Sequence, residues 1–246
     1  MRLDGKSALV TGGGSGFGAG IARRFAAQGA GVLVADINVD AAEAVAGEIG
    51  GSAWAVDVGD RASVNALAQW TAETVGQLDI LVNNAGVTHL PGKLEEISEE
   101  DFDRVLTVNA KSVYLMAQAF VPGMKQAGKG AILNVASTAG LSPRPSLSWY
   151  NASKGWMITA TKSMAVELAA SGIRVNAIAP VAGETPLLKS FMGGDTPEMR
   201  SKFLATIPLG RFSTPDDMGN AAVFLCSDDA SMITGVVLEV DGGRCI

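Results

Sequence analysis

Ser7-Ala8-Leu9-Val10-Thr11-Gly12-Gly13-Gly14-Ser15-Gly16-Phe17-Gly18-Ala19-Gly20-Ile21 decides how the chain folds. Its first five residues form an apolar run too short for a helix, which reads as a buried strand. Glycines follow, and then an apolar stripe at helical spacing carried by Phe17, Ile21, Phe25 and Ala26, closed by Gly29. A second buried run, Gly31 to Asp36, stops on an acid.

The alternation continues outward from there. Helical patterns span 39–49, 61–75, 99–125, 149–170 and 215–226. Apolar runs span 53–57, 78–82, 131–136, 173–179 and 236–240. The runs are continuous rather than alternating, so both faces of each strand are expected to be covered. The expected fold is α/β: a Rossmann-type doubly wound parallel sheet of about seven strands in three α/β/α layers, with ligands at the carboxyl ends of the strands. Residues 180–212 show no clear period and are expected to be irregular with short helical pieces. No linker, charge run or repeat divides residues 1–246, which read as one dinucleotide-binding catalytic domain with a substrate lid around 184–212.

Composition excludes several functions. Apolar residues make up 48% and charged residues 18% of 246, enough for a large core. A net charge of −6 leaves no basic excess for nucleic acid. No apolar run is long enough to span a membrane, and the N-terminus shows no signal-peptide segment. With only Cys226 and Cys245, no disulfide framework is expected, which fits a reducing cytoplasm.

The glycine-rich turn lies where a strand meets a helix. Free amides and the positive end of the helix dipole favour an anion there, and missing side chains let a pyrophosphate approach. The glycines match Gly14-x-Gly16-x-x-Ala19 and equally Gly12-x-x-x-Gly16-x-Gly18. Asp36 closes the next strand, where a carboxylate accepts the ribose hydroxyls of adenosine and repels a 2′-phosphate. Ile37 follows, leaving no arginine for that phosphate, so the expected cofactor is NAD rather than NADP. Asp57, with Val58 next, ends the third run, either near the adenine edge or as a helix cap. Asn83-Asn84-Ala85-Gly86 ends the fourth run, either beside a cofactor ribose or as a tie between loops.

Ser137 lies just past the fifth run, and Tyr150 and Lys154 stand four apart on one helical face. A hydroxyl, a phenol and an ammonium together can move a proton to or from an alcohol.

These residues resemble the short-chain dehydrogenase/reductase family over essentially the full chain. The matching pieces are Thr11-Gly12-x-x-x-Gly16-x-Gly18, Asp36, Asp57, Asn83-Asn84-Ala85-Gly86, Asn109, Ser137, Tyr150-x-x-x-Lys154 and Asp241-Gly242-Gly243, in the family's order and spacing. The resemblance implies that Tyr150 is the acid/base and that Lys154 holds the nicotinamide ribose and lowers the tyrosine pKa. Ser137 is then the partner of the substrate oxygen, and Asn109 holds a water linking Lys154 to solvent. It also implies cofactor contacts from Gly12, Ser15, Gly16, Phe17, Gly18, Asp36, Ile37, Asp57, Val58, Asn84, Ala85 and Gly86, and from Pro180, Ala182 and Thr185. A free tyrosine titrates near ~10, so a base near neutrality needs a fall of ~3 units, about 4 kcal/mol. Two other functions compete: a 3-oxoacyl-thioester reductase, a close resemblance that more often uses NADP, and a catalytically idle dinucleotide sensor.

The chain departs from the family after the sixth run. Pro180-Val181-Ala182-Gly183-Glu184-Thr185-Pro186 has its glycine displaced from the usual Pro-Gly pair. Substrate candidates besides Ser137 are Thr138, Arg144, Trp149 and His89. Arg144, between two prolines, can bind an anion or stand solvated. His89, the only histidine, is expected at the surface or against substrate, and no cluster of ligands supports a metal site. Trp149 and Leu147 either wall the pocket or pack between helices or subunits. The resemblance further implies that tracts 110–121 and 156–168 pair between subunits in a homotetramer.

Overall fold

A computed structural model describes residues 1–246. Seven strands form one parallel sheet: β1 (Ser7–Thr11), β2 (Gly31–Asp36), β3 (Ser52–Ala55), β4 (Ile80–Asn83), β5 (Gly130–Val135), β6 (Ile173–Pro180) and β7 (Val237–Val240). Their order is β3-β2-β1-β4-β5-β6-β7, and every pairing is parallel. Nine α-helices complete the fold: α1 (Gly16–Ala27), α2 (Val39–Ile49), α3 (Arg61–Val75), α4 (Glu99–Leu106), α5 (Ser112–Ala127), α6 (Ser148–Leu168), α7 (Leu188–Met192), α8 (Pro197–Leu204) and α9 (Pro215–Cys226).

The continuous apolar strands serve two cores at once. Along β1, Ala8 and Val10 face α1, α2 and α9, while Leu9 between them faces α3, α5 and α6. In β2, Val32 and Val34 join the first core, and Leu33 and Ala35 the second. Period-two geometry therefore splits one apolar run into two buried faces. Strand order reverses between β1 and β4, which opens a crevice at their carboxyl ends.

Several element boundaries differ from the sequence reading, β4 among them, which begins at Ile80 rather than at 78. The third strand stops at Ala55, so Asp57 lies two residues past it. The long helical tract 99–125 is broken at Thr107–Lys111, a π turn in which the amide of Ser112 reaches back to Thr107 O. The cause is tertiary. Asn109 is anchored sideways, receiving the Val87 amide on Oδ1 at 2.9 Å and donating Nδ2 to Val87 O at 2.9 Å and Ser153 Oγ at 3.0 Å. The sixth helix ends at Leu168, and a single 3₁₀ turn, Ala169–Ser171, carries the chain to Gly172. No helix is long and apolar enough to cross a membrane.

Candidate active site

A cleft of about 400 Å³ opens at the strand-order reversal. It gathers Gly12, Ser15, Gly16 and Phe17 from the first turn, Asp36 and Ile37 after β2, Asp57 and Val58 after β3, Asn84, Ala85 and Gly86 after β4, and Thr185. The local physics suits an anion. Ser15 is the N-cap of α1 yet makes no side-chain cap bond, whereas Asn38, Asp60 and Thr214 cap their helices. The first-turn amides of α1 are thus left without a side-chain acceptor. Gly12 and Gly16 have φ of 61° and 52°, a region that penalises any Cβ.

Gly18 is buried behind the turn rather than lining the cleft. A Cβ there would lie 2.1 Å from Gly12 O and 2.4 Å from Asn84 Nδ2. Asn84 ties the two loops together, donating to Thr11 O and Gly12 O at 2.9 Å each. The Asp36 carboxylate accepts the amides of Gly14 and Asn38, both at 3.0 Å, and so fixes the turn while lining the cleft. Asp57 accepts the Gly59 amide at 2.8 Å; the cap of α3 is Asp60 instead. These glycines and free amides form a cradle that a nicotinamide dinucleotide fits.

Ser137, Tyr150 and Lys154 are buried together at the end of β5 and the start of α6. Ser137 Oγ accepts the Ala139 amide at 3.1 Å. Lys154 is 4% exposed and donates to Val135 O at 2.8 Å. Its Nζ lies 6.0 Å from the Tyr150 ring centre. A Cβ on Gly86 would come within 3.4 Å of both that Nζ and Asn109 Oδ1. Gly86 thus joins the cleft to the Ser137–Tyr150–Lys154 cluster, and its missing side chain keeps the junction open.

Electrostatics here depart from the sequence reading. Burial pushes the Tyr150 phenol above its ordinary value, with the Ser137 hydroxyl opposing, where the sequence led us to expect a fall. Burial also holds the Lys154 ammonium down to about 8. The protein's own atoms therefore favour a neutral phenol beside a readily deprotonated amine.

Other candidates fall into place differently. Thr138 is buried and donates Oγ1 to Pro180 O at 3.3 Å. His89 is wholly buried, not superficial; its Nδ1 lies 2.8 Å from Leu90 O, and its Nε2 has no partner. Arg144 is half-buried rather than solvated, with its guanidinium 4.5 Å above the Phe203 ring. Trp149 packs edge-on against Phe102 at 5.3 Å, which accounts for it as a helix contact. Leu147 packs with Tyr150 and Phe191, and the Phe191 ring of α7 stands edge-on to Tyr150 at 4.8 Å. The displaced glycine has a clear reason: a Cβ on Gly183 would lie 2.3 Å from Phe17 Cζ. Thr185 rests on the glycine turn, 3.2 Å from where a Gly16 Cβ would be, while Pro180 and Ala182 stay outside the cleft lining.

The sequence reading missed Val56, Val87, Val108, Pro186 and Leu187, which also line the cleft. Val87 and Val108 adjoin Gly86 and Asn109, and that adjacency was the available signal. Apolar residues near strand ends otherwise look like core.

A family profile described as enoyl-(acyl carrier protein) reductase matches residues 12–244. The 4-formylbenzenesulfonate dehydrogenase of Comamonas testosteroni is 51% identical, covering all of both chains. The chain belongs to the short-chain dehydrogenase/reductase family. Another member of the family, the D-threitol dehydrogenase of Mycolicibacterium smegmatis, is 43% identical over all of this chain and 95% of its own. A crystal structure described as a 3-ketoacyl-(acyl-carrier-protein) reductase from Brucella melitensis complexed with NADH superposes with a TM-score of 0.95. It is 51% identical and covers 99% of this chain and 100% of its own. Membership in the short-chain dehydrogenase/reductase family makes the protein an oxidoreductase with a nicotinamide dinucleotide cofactor.

Proposed function

We propose that the protein is an NAD-linked dehydrogenase that interconverts a secondary alcohol and a ketone, with Tyr150 as acid/base assisted by Ser137, Lys154 and Asn109. The observation that carries this reading is the junction at Gly86, where Lys154 Nζ borders the dinucleotide cleft and lies 6.0 Å from the Tyr150 ring centre.

When bound, the nicotinamide accepts or donates the hydride; the protein supplies position and protons. Ser137 and Tyr150 hold the substrate oxygen between two hydroxyls. In oxidation, ionised Tyr150 takes the alcohol proton; in reduction, its phenol returns a proton to the carbonyl oxygen. Tyr150 with Lys154 holds the same number of protons as phenol plus amine or as phenolate plus ammonium. Positive charge beside the pair favours the second arrangement without exchange with bulk water. Asn109 has its side chain engaged by Val87 and Ser153, so its share in proton relay falls to the main chain of the π turn.

Asp36 supports NAD over NADP, because a carboxylate lining the cleft after β2 accepts ribose hydroxyls and repels a 2′-phosphate. The segment 184–212 serves as a lid over the substrate, with Phe191 against Tyr150 and Thr185 above the glycine turn. Thr185, which lines the cleft, flanks the nicotinamide.

A 3-oxoacyl-thioester reductase is the second reading, favoured by the description of the Brucella melitensis neighbour. One assay separates the two: initial rates with alcohols, polyols, hydroxy acids, steroids and an acetoacetyl thioester, with NAD and NADP in turn, followed by absorbance of the reduced nicotinamide. The expected result is NAD-dependent alcohol oxidation lost in Tyr150→Phe. Turnover of the thioester alone, with NADPH preferred, would overturn the first reading.

A further inference from the structure

Most arginines of this chain are neutralised. Arg2, Arg23, Arg24, Arg104, Arg200 and Arg211 each meet a carboxylate. Arg174 spends its guanidinium on the carbonyls of Leu225, Ser227 and Ile233. Arg61 donates to Gln118. Arg144 and Arg244 differ, because both are half-buried and neither has a carboxylate or a ring of carbonyls.

The two converge on the loop that joins Ser137 to Tyr150. Arg144 donates Nη2 to Thr206 Oγ1 at 3.1 Å and stacks on Phe203 of α8. Arg244, near the carboxyl terminus, donates Nη1 to Ser142 Oγ at 2.9 Å, and its Nε is shut away from solvent with no acceptor. Burial and the facing charge of Arg244 together hold Arg144 below the ordinary arginine range. Like charges brought together in half-buried surroundings are unfavourable unless an anion joins them. Two planar forks with unspent donors match the oxygens of a carboxylate or sulfonate.

The link to the phenol is short and stiff. Asn151, the residue after Tyr150, donates Nδ2 to Arg144 O at 2.8 Å. Prolines at 143 and 145 restrict the loop on either side.

We propose that Arg144 and Arg244 form a binding site for a carboxylate or sulfonate carried by the substrate, remote from its reacting carbon. This inference rests on the dehydrogenase reading and deepens it: the substrate class is an anionic alcohol or its carbonyl partner. The donors serve positioning, and Tyr150 still performs the proton transfer.

The test compares matched ketones with NADH: 4-acetylbenzoate and 4-acetylbenzenesulfonate, each against acetophenone. Wild type is expected to favour the anionic member in kcat/KM. Arg144→Gln and Arg244→Gln are each expected to lower that value ~10- to 100-fold more for the anionic member than for the neutral one, the range of a charged hydrogen bond. Arg144→Lys keeps the charge without the fork and is expected to fall between the two, which covers a Gln variant that fails to fold.

A second arm needs no turnover. Benzenesulfonate should raise the Tm of the NADH-bound wild type and not of the Arg144→Gln/Arg244→Gln protein. Equal losses on anionic and neutral members, or equal Tm shifts in wild type and double variant, would overturn the site. Benzenesulfonate binding without substrate discrimination would overturn its role in the reaction. If no carbonyl turns over, the dehydrogenase reading fails for these substrates, and the benzenesulfonate arm alone decides whether the arginines bind an anion.

Discussion

Lys154, to which the proposal gives a part in the chemistry, carries a stability cost. It is fully enclosed beside Tyr150, and burial holds its ammonium down to about 8 against an ordinary 10.5. Between those values the unfolded chain binds more protons than the folded one, so this site's contribution to stability rises with pH through that window. Below about 8 both states are charged, and the buried ammonium costs the fold on the order of 3 kcal/mol. Lys154→Met removes that charge and leaves Val135 O without its donor, a smaller loss of about 1–3 kcal/mol. The cofactor-free variant should therefore melt above wild type near neutral pH, with the gap closing as pH approaches the ordinary lysine value. Thermal melts by circular dichroism across that range check it; a variant melting lower at every pH would refute the account. The places of Asp36, Ser137, Tyr150 and Lys154 were readable in advance: Asp36 lines the cleft, and the other three are buried at the end of β5 and the start of α6. Burial was not readable. His89 and Arg144 are enclosed by elements distant in sequence, and the direction of the Tyr150 shift depends on the same enclosure.

At the scale of elements, the turn after β6 shows why the glycine of a motif can move. Gly183 sits where the Phe17 ring of α1 arrives, with 2.3 Å to Cζ, 2.6 Å to Cε1 and 2.7 Å to Ser213 Oγ for any added Cβ. Gly183→Ala must displace that ring or the turn, which is expected to cost about 1–3 kcal/mol, as overpacking does. Because Phe17 and Thr185 both line the cleft, the Kd for NAD should rise as well. Urea unfolding and nucleotide titration measure the two effects; unchanged values in both would show the contact to be loose. Most strands and helices were legible from apolar period, and their ends drifted by a few residues. The break at Thr107–Lys111 was not legible, since the local sequence is helical and only the bonds from Asn109 to Val87 and Ser153 impose the π turn.

The whole molecule follows from alternation. Continuous apolar strands between amphipathic helices require a sheet covered on both sides, and the right-handed crossover places the reversal between β1 and β4. Association between copies was suggested by resemblance alone. The helices concerned leave apolar groups open: Tyr114 on α5, and Trp156 and Val166 on α6, the last 84% exposed. We expect these faces to pair between subunits, so sedimentation at micromolar concentration should report four 25.2 kDa chains. A single-chain mass would contradict that assembly and leave the catalytic proposal untouched.

The central claim is that Tyr150 transfers the proton in an NAD-linked oxidation of an alcohol. The most direct test measures NADH formation and NADH affinity side by side in wild type and Tyr150→Phe, on the best alcohol of the panel. The account predicts a loss of turnover of ~10²- to 10⁴-fold with affinity for NADH unchanged. A Tyr150→Phe protein that keeps most of the wild-type turnover would contradict it.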